Sequence, residues 1–443
     1  MQEDVESSAQ ALARIIVRSA LRVACALPGL QGVALLLGSY PPKLQALAKH
    51  LARFEQKAVA LSDRVATRGA DAIVDILHAG GLRPELVIPL VDNAVCVADV
   101  LNCRLRQPFN ELATASLRRD KFEQQEALRR AGLPAPAQCL TSDIEEAVAF
   151  GLSRGLGSGE RVVVKPRDSS GNDGIWLCTS EDELREAFSA ELGRRNVENS
   201  LNTVLIVMEA LIGEEWVVNS VSLNGVHKVT DVWHGPSKTC CSSGGPAQFL
   251  YDVQLLADDS PQLLPVVEFT RNVLDALGVR SGAAHTELVW VSHLACPFLF
   301  EVNARPAGGL PRTPHRPNQL EALATSFHDA AGFHALPDIG RSLKAVAVVF
   351  LRASRDGWLS SAALTEFTQL PTFLRFERGL LGMKAPFKAL SVQRTRGLFS
   401  SPGCVVLQGA KAAVRKDVEQ IREIELSAYI DEPDEERQEE AGD

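Results

Sequence analysis

Short β-branched runs and amphipathic stretches alternate through the first part of the chain: Gly32 to Gly38, then Pro42 to Phe54, Lys57 to Ser62, Ala70 to Ala79, Glu85 to Leu90 and Asn93 to Leu105. This strand–helix alternation predicts a small parallel α/β unit, preceded by a helix over about Glu6 to Cys25. Its first strand runs into Gly38-Ser39-Tyr40. That loop is at the carboxyl end of a strand, the side on which open α/β sheets bind ligands, although a plain connecting turn has the same pattern.

From about Leu117 to Ser153 the period is helical, with a break at Gly132-Leu133-Pro134-Ala135-Pro136 and a second helix expected from the cap Ser142. The runs Arg161 to Lys165, Gly174 to Cys178, Val204 to Met208, Trp216 to Leu223 and Val226 to Trp233 then predict a second α/β unit, and Asn224-Gly225 marks a hairpin. Gly235 to Ala247, rich in Gly and Ser, reads as a mobile loop, lid or connector. A helix near Pro261 to Leu277 precedes a hairpin of Thr286 to Val291 and Phe298 to Asn303. Beyond Arg341 the pattern is that of a β-rich lobe, and beyond Ser427 the acidic end is expected to be disordered.

The 443 residues, 46% of them hydrophobic, are too many for one core and predict two or three domains. Of the net charge of -9, much lies after Ile430, where eight acids meet only Arg437. The rest is close to neutral, which argues against an extended nucleic-acid surface. Nine scattered cysteines without zinc or redox spacing suit a reducing compartment, and Cys240-Cys241 has no evident histidine partner for nucleophilic work. No run is apolar enough to span a bilayer, and the start Met1-Gln2-Glu3-Asp4 is unlike a secretory signal. The expectation is a soluble cytoplasmic protein with no nucleic-acid or membrane partner, organelle targeting being left open.

The most informative segment is Phe300-Glu301-Val302-Asn303-Ala304-Arg305-Pro306-Ala307-Gly308-Gly309. If Phe298 to Arg305 is extended, Glu301, Asn303 and Arg305 share one face, because side chains alternate along a strand. Carboxylate and amide oxygens suit hard Mg²⁺, and a guanidinium suits a phosphoryl group. A hairpin centred near Leu294 would also set Glu287 opposite Glu301, two carboxylates that need a cation between them. Carboxylates paired only with arginine, or a solvent-facing polar strand, are the plainer alternatives. Upstream, Val162-Val163-Val164-Lys165-Pro166 brings a lysine to a strand end, and Ser169-Ser170-Gly171-Asn172-Asp173-Gly174 forms a small-residue loop whose amides can approach phosphates. It is not a Walker loop, since it lacks the Gly-Lys-Ser/Thr ending and leads into a strand.

Lys121 within Arg118-Arg119-Asp120-Lys121, Lys165 with its loop, Glu209 within Val207-Met208-Glu209-Ala210-Leu211, Glu215, Glu287 and Glu301-x-Asn303-x-Arg305, in this order over about residues 30 to 330, resemble the ATP-grasp superfamily. Within it, His285-Thr286-Glu287, Lys228-Val229-Thr230-Asp231-Val232-Trp233 and the β-rich tail look most like the bacterial L-amino-acid ligases, which are dipeptide-forming carboxylate–amine ligases. The resemblance implies an α/β (α+β) ATP-grasp fold. Its parts would be an N-terminal helix over 1–30, a Rossmann-like pre-ATP-grasp domain over 31–115, and an ATP-grasp domain over 116–340 with its lid lobe at about 135–212. A β-rich lobe over 341–428 and an acidic tail over 429–443 would complete it.

The same resemblance implies that Lys121 and Lys165 contact the phosphates of ATP while Ser169, Ser170, Gly171, Asn172 and Gly174 close over them. Glu209, Ala210 and the Leu211 backbone would meet adenine, and Glu215 the ribose. Glu287, Glu301 and Asn303 would bind Mg²⁺, or Mn²⁺ in its place; Arg305 with the Gly308 and Gly309 amides would steady the transferred phosphate and the acyl carboxylate, and His285 would orient substrate. The implied activity joins a carboxylate to an amine, amino acids in the first place, through an acyl phosphate with release of ADP and phosphate, in an enzyme whose oligomeric state is left open, homodimers being common among similar enzymes. An ATP-binding regulatory protein without turnover, or a carboxylase-like or nucleotide-pathway ligase, are the competing readings. The chain departs from related ligases at Leu90-Val91-Asp92-Asn93-Ala94-Val95, where a Gly-x-Glu-x-Gly-Val element is common.

Overall fold

The computed structural model describes residues 33–37, 57–61, 73–75, 86–104, 110–235, 238–240, 245–247, 249–256, 260–308, 317–342, 344–377, 389–397 and 400–431. The helix expected over Glu6 to Cys25, the Gly38–Tyr40 loop, the helix over Pro42 to Phe54, most of Ala70 to Ala79, Cys241, Gly309 and the acidic end from 432 lie outside the described residues. The chain divides into two compact units. The first holds Met1–Val232, Asp259–Ala307 and Pro314–Arg341, the second Trp233–Asp258, Gly308–Thr313 and Ser342–Asp443.

In chain order the first unit begins with β1 (Val33–Leu37), β2 (Lys57–Leu61) and β3 (Leu86–Pro89), a parallel sheet of order β2-β1-β3. Helix α1 (Val95–Arg104) follows, and its Asn102 side chain takes both the N–H and the C=O of Val87 (3.0 and 2.8 Å), closing the edge of β3. Helix α2 (Lys121–Arg130) is capped by Asp120, which accepts from the amides of Phe122 and Glu123 and also pairs with Arg167. The lid lobe then contains β4 (Gln138–Thr141), α3 (Ile144–Ser153), β5 (Val162–Pro166), β6 (Trp176–Cys178), α4 (Glu181–Glu191) and β7 (Leu205–Glu209). Its antiparallel sheet has the order β4-β7-β5-β6. Val162, Val164, Trp176, Leu184, Phe188 and Val207 form its core. Each such fully buried aliphatic side chain contributes about 1.5–3 kcal/mol.

Strands β8 (Glu214–Leu223) and β9 (Val226–Gly235) form the hairpin that Asn224-Gly225 predicts, with φ of 52° and 82° at the two turn residues. Next in the chain are β10 (Lys238–Cys240), β11 (Phe249–Tyr251) and β12 (Val253–Leu256), then α5 (Leu263–Ala276), β13 (Gly282–Val291), β14 (Cys296–Asn303), α6 (Gln319–His328) and α7 (Ala330–Ala335). In the first unit the order β14-β13-β8-β9 makes an antiparallel sheet, and Ile88, Leu90, Val221, Leu223, Ala283, Leu323 and Phe333 pack β3, this sheet and α6–α7 around one core.

In the second unit Trp233 and His234 pair with β12, and the order continues β12-β15-β19-β17, where β15 is Ala345–Phe350, β17 Phe373–Glu377 and β19 Cys404–Gly409. A small sheet of β16 (Gly357–Leu359), β18 (Leu390–Val392) and β20 (Tyr429–Ile430), with helices Ser361–Thr368 and Lys411–Glu425, completes it.

The structure corrects several expectations. Gln138–Thr141, which lies between the proline break and the second helix and for which no strand is expected, is strand β4; it forms because β7 offers it a free edge. The cap of α3 is Asp143, whose carboxylate accepts from the Glu145 amide, and not Ser142. Part of the expected mobile loop is strand, since Lys238–Cys240 pairs with Phe249–Tyr251. Tyr429–Ile430, placed in a disordered tail, pairs with Trp358–Leu359. No helix among the described residues is long and apolar enough to cross a membrane.

Candidate active site

The expected hairpin forms, and its register sets His285 opposite Asn303 and Glu287 opposite Glu301. A β-bulge between Glu287 and Leu288, with Leu288 facing Leu299, leaves Phe300 as the extra residue beside Glu301. Glu301 accepts from the Lys121 ammonium at 2.7 Å and from the Asn303 amide nitrogen at 2.9 Å. That orientation leaves the Asn303 side-chain oxygen, Oδ1, as an acceptor. Burial raises the Glu301 carboxyl, but Lys121 beside it and the hydrogen bonds from Lys121 and Asn303 hold it below the ordinary value against a raising push from Glu287.

Lys121 stands at the first turn of α2 and reaches two partners, Glu301 and the Ser169 carbonyl at 2.6 Å. Lys165, near the end of β5 and 7% exposed, belongs to the same electrostatic group. Burial and then the Lys121 ammonium push it down to about 8, while Glu301 and Glu287 pull it up. The loop between β5 and β6 turns through Gly171 and Asn172, both left-handed (φ 65° and 64°), with the Asp173 amide bonded to the Ser170 carbonyl. Ser169 donates to Asp173 at 2.7 Å and Ser170 to Glu198, so the loop is tied to Glu198 directly and to Arg194 through Asp173.

Glu209 closes β7, where its carboxylate accepts from the Ala137 amide at 3.0 Å; Ala210 donates to the Arg161 carbonyl, and Ala210, Leu211 and Glu215 are half-buried. His285 bonds through Nδ1 to Asn219 Oδ1 at 2.8 Å, and Asn219 in turn meets Asp231. Because the Asn219 nitrogen faces Asp231, its oxygen faces His285, so Nδ1 carries the proton. His285 Nε2 lies 3.4 Å from Glu287.

Arg305 departs from its expected geometry. The strand ends at Asn303, where the Arg305 amide folds back onto the Asn303 carbonyl at 2.8 Å, so Arg305 does not continue the strand face. Its guanidinium forms a two-pronged pair with Asp92, both bonds 2.8 Å. Burial alone would raise the Asp92 carboxyl, but Arg305, with Arg119 and Lys121, holds it low. Asp92 is the partner the sequence did not reveal; it lies in the segment Leu90 to Val95 that departs from related ligases, which was its only signal. Gly308 belongs to the second unit and is half-buried.

Among the described residues no group of three or more His, Cys, Asp or Glu side chains is placed to hold a metal alone. Two opposed carboxylates and one amide oxygen, with two ammonium groups at hand, are instead an incomplete oxygen set of the kind Mg²⁺ shares with phosphates and water. The donor chemistry therefore fits the ion.

No family model matches the chain. Among curated proteins, dapdiamide A synthase of Enterobacter agglomerans is 27% identical over 391 residues, which cover 84% of this chain and 87% of that one. Among solved structures, L-amino acid ligase from Bacillus licheniformis superposes with a TM-score of 0.64 at 15% identity, covering 92% of this chain and 99% of that one. Carboxyaminoimidazole ribonucleotide synthase from Aspergillus clavatus, complexed with ATP, gives 0.63 at 12% identity, with coverage of 89% and 98%. The structural likenesses carry the fold, and the sequence similarity to dapdiamide A synthase extends over most of both lengths. With the lysines, carboxylates and loop arranged as above, the chain has the ATP-grasp fold of these ligases.

Proposed function

We propose that the protein uses Mg·ATP to convert the carboxylate of an amino acid into an acyl phosphate, then passes the acyl group to the amine of a second amino acid with release of ADP and phosphate. The observation that carries this reading is the Lys121 ammonium set on Glu301, opposite Glu287 and beside Lys165. Such a cluster is suited to charge moving along a triphosphate. The name of the relative from Bacillus licheniformis, an L-amino acid ligase, supports amino acids as substrates.

A free carboxylate acylates amines poorly in water, so the first step must supply a leaving group. Lys121 and Lys165 would hold the phosphates, and the 169–174 loop, with its serine hydroxyls and exposed turn, would cover them. Bound at Glu287, Glu301 and Asn303, Mg²⁺ would neutralise charge on the transferred group. Arg305, fixed by Asp92, would meet the phosphoryl or acyl oxygen with the Gly308 and Gly309 amides; Glu209 to Leu211 and Glu215 would bind adenine and ribose. His285, its Nδ1 anchored on Asn219, would orient substrate. The test is to mix the protein with Mg·ATP and pairs of amino acids. ADP and phosphate should appear with a dipeptide, and E301A should lose about a hundredfold or more of that rate while staying folded. AMP and pyrophosphate as products would overturn the mechanism.

A further inference from the structure

Strand β14 ends the strand order of its sheet, so its outer edge has no neighbouring strand among the described residues. Helix α2 supplies a partner through a side chain. Gln124, 1% exposed, donates from Nε2 to the Val302 carbonyl at 2.8 Å and accepts on Oε1 from the Val302 amide at 2.9 Å. Val302 is the residue between Glu301 and Asn303. The next residue, Gln125, donates to the Leu299 carbonyl at 2.9 Å, so two consecutive glutamines grip the strand on either side of the bulged Phe300.

Gln124 also lies three positions after Lys121, on the same face of α2. One amide thus fixes the strand that carries Glu301 and Asn303 relative to the helix that carries Lys121. A bulged edge strand is otherwise free to twist, and a small rotation at Val302 would separate the two oxygen donors. Burying a glutamine completely is costly unless each amide group is paired; in Gln124 both groups are paired, whereas Gln125 leaves its Oε1 without a hydrogen-bond partner among the described residues.

We propose that Gln124 is a positioning residue: its double hydrogen bond to Val302 holds Glu301 and Asn303 in the arrangement that binds the divalent ion opposite Lys121. This rests on the metal role given to Glu301 above, and the experiment separates the two. Mn²⁺ binding to the full-length protein with the non-hydrolysable analogue AMPPNP is followed by the electron paramagnetic resonance signal of free Mn²⁺, with thermal unfolding measured in parallel. Q124M keeps the volume and removes both bonds; it should weaken Mn²⁺ binding by about tenfold or more, the scale seen when a group that orients a metal ligand is lost. T270V removes a buried hydrogen bond of α5, from Thr270 to the Val266 carbonyl, and is the control for a merely structural loss. It should leave Mn²⁺ binding unchanged at a comparable fall in Tm.

If Q124M loses its fold, Q124N, an amide one methylene short of Val302, gives the same comparison. Wild-type affinity in the folded Gln124 variant, or equal weakening in T270V, overturns the positioning role while E301A still loses the ion. Wild-type Mn²⁺ binding in E301A overturns the metal reading itself and the positioning role with it.

Discussion

Lys165 carries an ammonium into a site where only 7% of the residue is exposed, and its ordinary value of 10.5 falls to about 8. Burial is the main cause, followed by repulsion from Lys121. The unfolded chain keeps this proton to higher pH than the folded one, so this group's contribution to stability rises with pH between about 8 and 10.5 and is least favourable below. A triphosphate brought beside the amine favours the charged form and lifts the value again. Binding of Mg·AMPPNP at pH 8 should therefore take up about half a proton per site, falling toward none at pH 6.5. Calorimetry in two buffers of different ionisation enthalpy reads that number, and K165R should abolish the uptake. Identical heats in both buffers would remove Lys165 from the phosphate site. Lys165, Glu287, Glu301 and Asn303 were legible in the sequence because each sits on a strand whose local pattern shows where the side chain goes. Asp92 was not: it meets Arg305 across 213 positions, and no local period records such a contact.

At the scale of elements, the hairpin of β13 and β14 shows how far pattern carries. Alternation and a turn near Leu294 are enough to pair Glu287 with Glu301, but the bulge at Phe300 and the end of the strand at Asn303 depend on tertiary partners. Helix α4 was missed although Thr179-Ser180 and Glu183 form a cap, with the Ser180 hydroxyl accepting from the Glu183 amide and Glu183 accepting from Thr179. Strand β4 was missed because four polar-leaning residues after prolines have no period of their own. The loop over the proposed phosphate site is more exacting. Gly174 is left-handed (φ 69°), and a Cβ there would stand 2.6 Å from Glu191 Oε2, 2.7 Å from Arg194 Nη2 and 2.9 Å from Pro166 Cγ. Gly132 is equally left-handed (φ 71°) with nothing within 4 Å. G132A should cost about 1 kcal/mol, the backbone strain alone. G174A should cost about 2–3 kcal/mol in denaturant titrations, because the Glu191–Arg194 pair must also shift, and it should weaken AMPPNP binding. Equal losses in the two variants would mean that the ion pair yields freely and does not tie the loop.

For the whole molecule, nearly every side chain assigned to nucleotide or metal lies in the first unit, drawn from strands and helices that are far apart in sequence: α2, β5, β7, β8, β13 and β14. A ligand that touches so many elements at once binds the folded unit and has no site on the unfolded chain. Its binding energy is then added to folding by mass action. Mg·AMPPNP at a hundred times its dissociation constant should stabilise the transition that melts the first unit by about 2.7 kcal/mol, which is a rise of a few degrees in Tm for a unit of this size. The metal's share is separable. With EDTA in place of Mg²⁺ the rise should shrink, and in E301A it should be equally small with or without the ion, since on the proposed reading Lys121 and Lys165 would still hold phosphates while the oxygen set would be broken. Hydrogen exchange read peptide by peptide should place the protection on 162–178 and 282–305. An EDTA-insensitive rise in the wild type would leave a nucleotide site that has no use for its paired carboxylates, and the opposition of Glu287 to Glu301 would then be a repulsion answered by lysines alone.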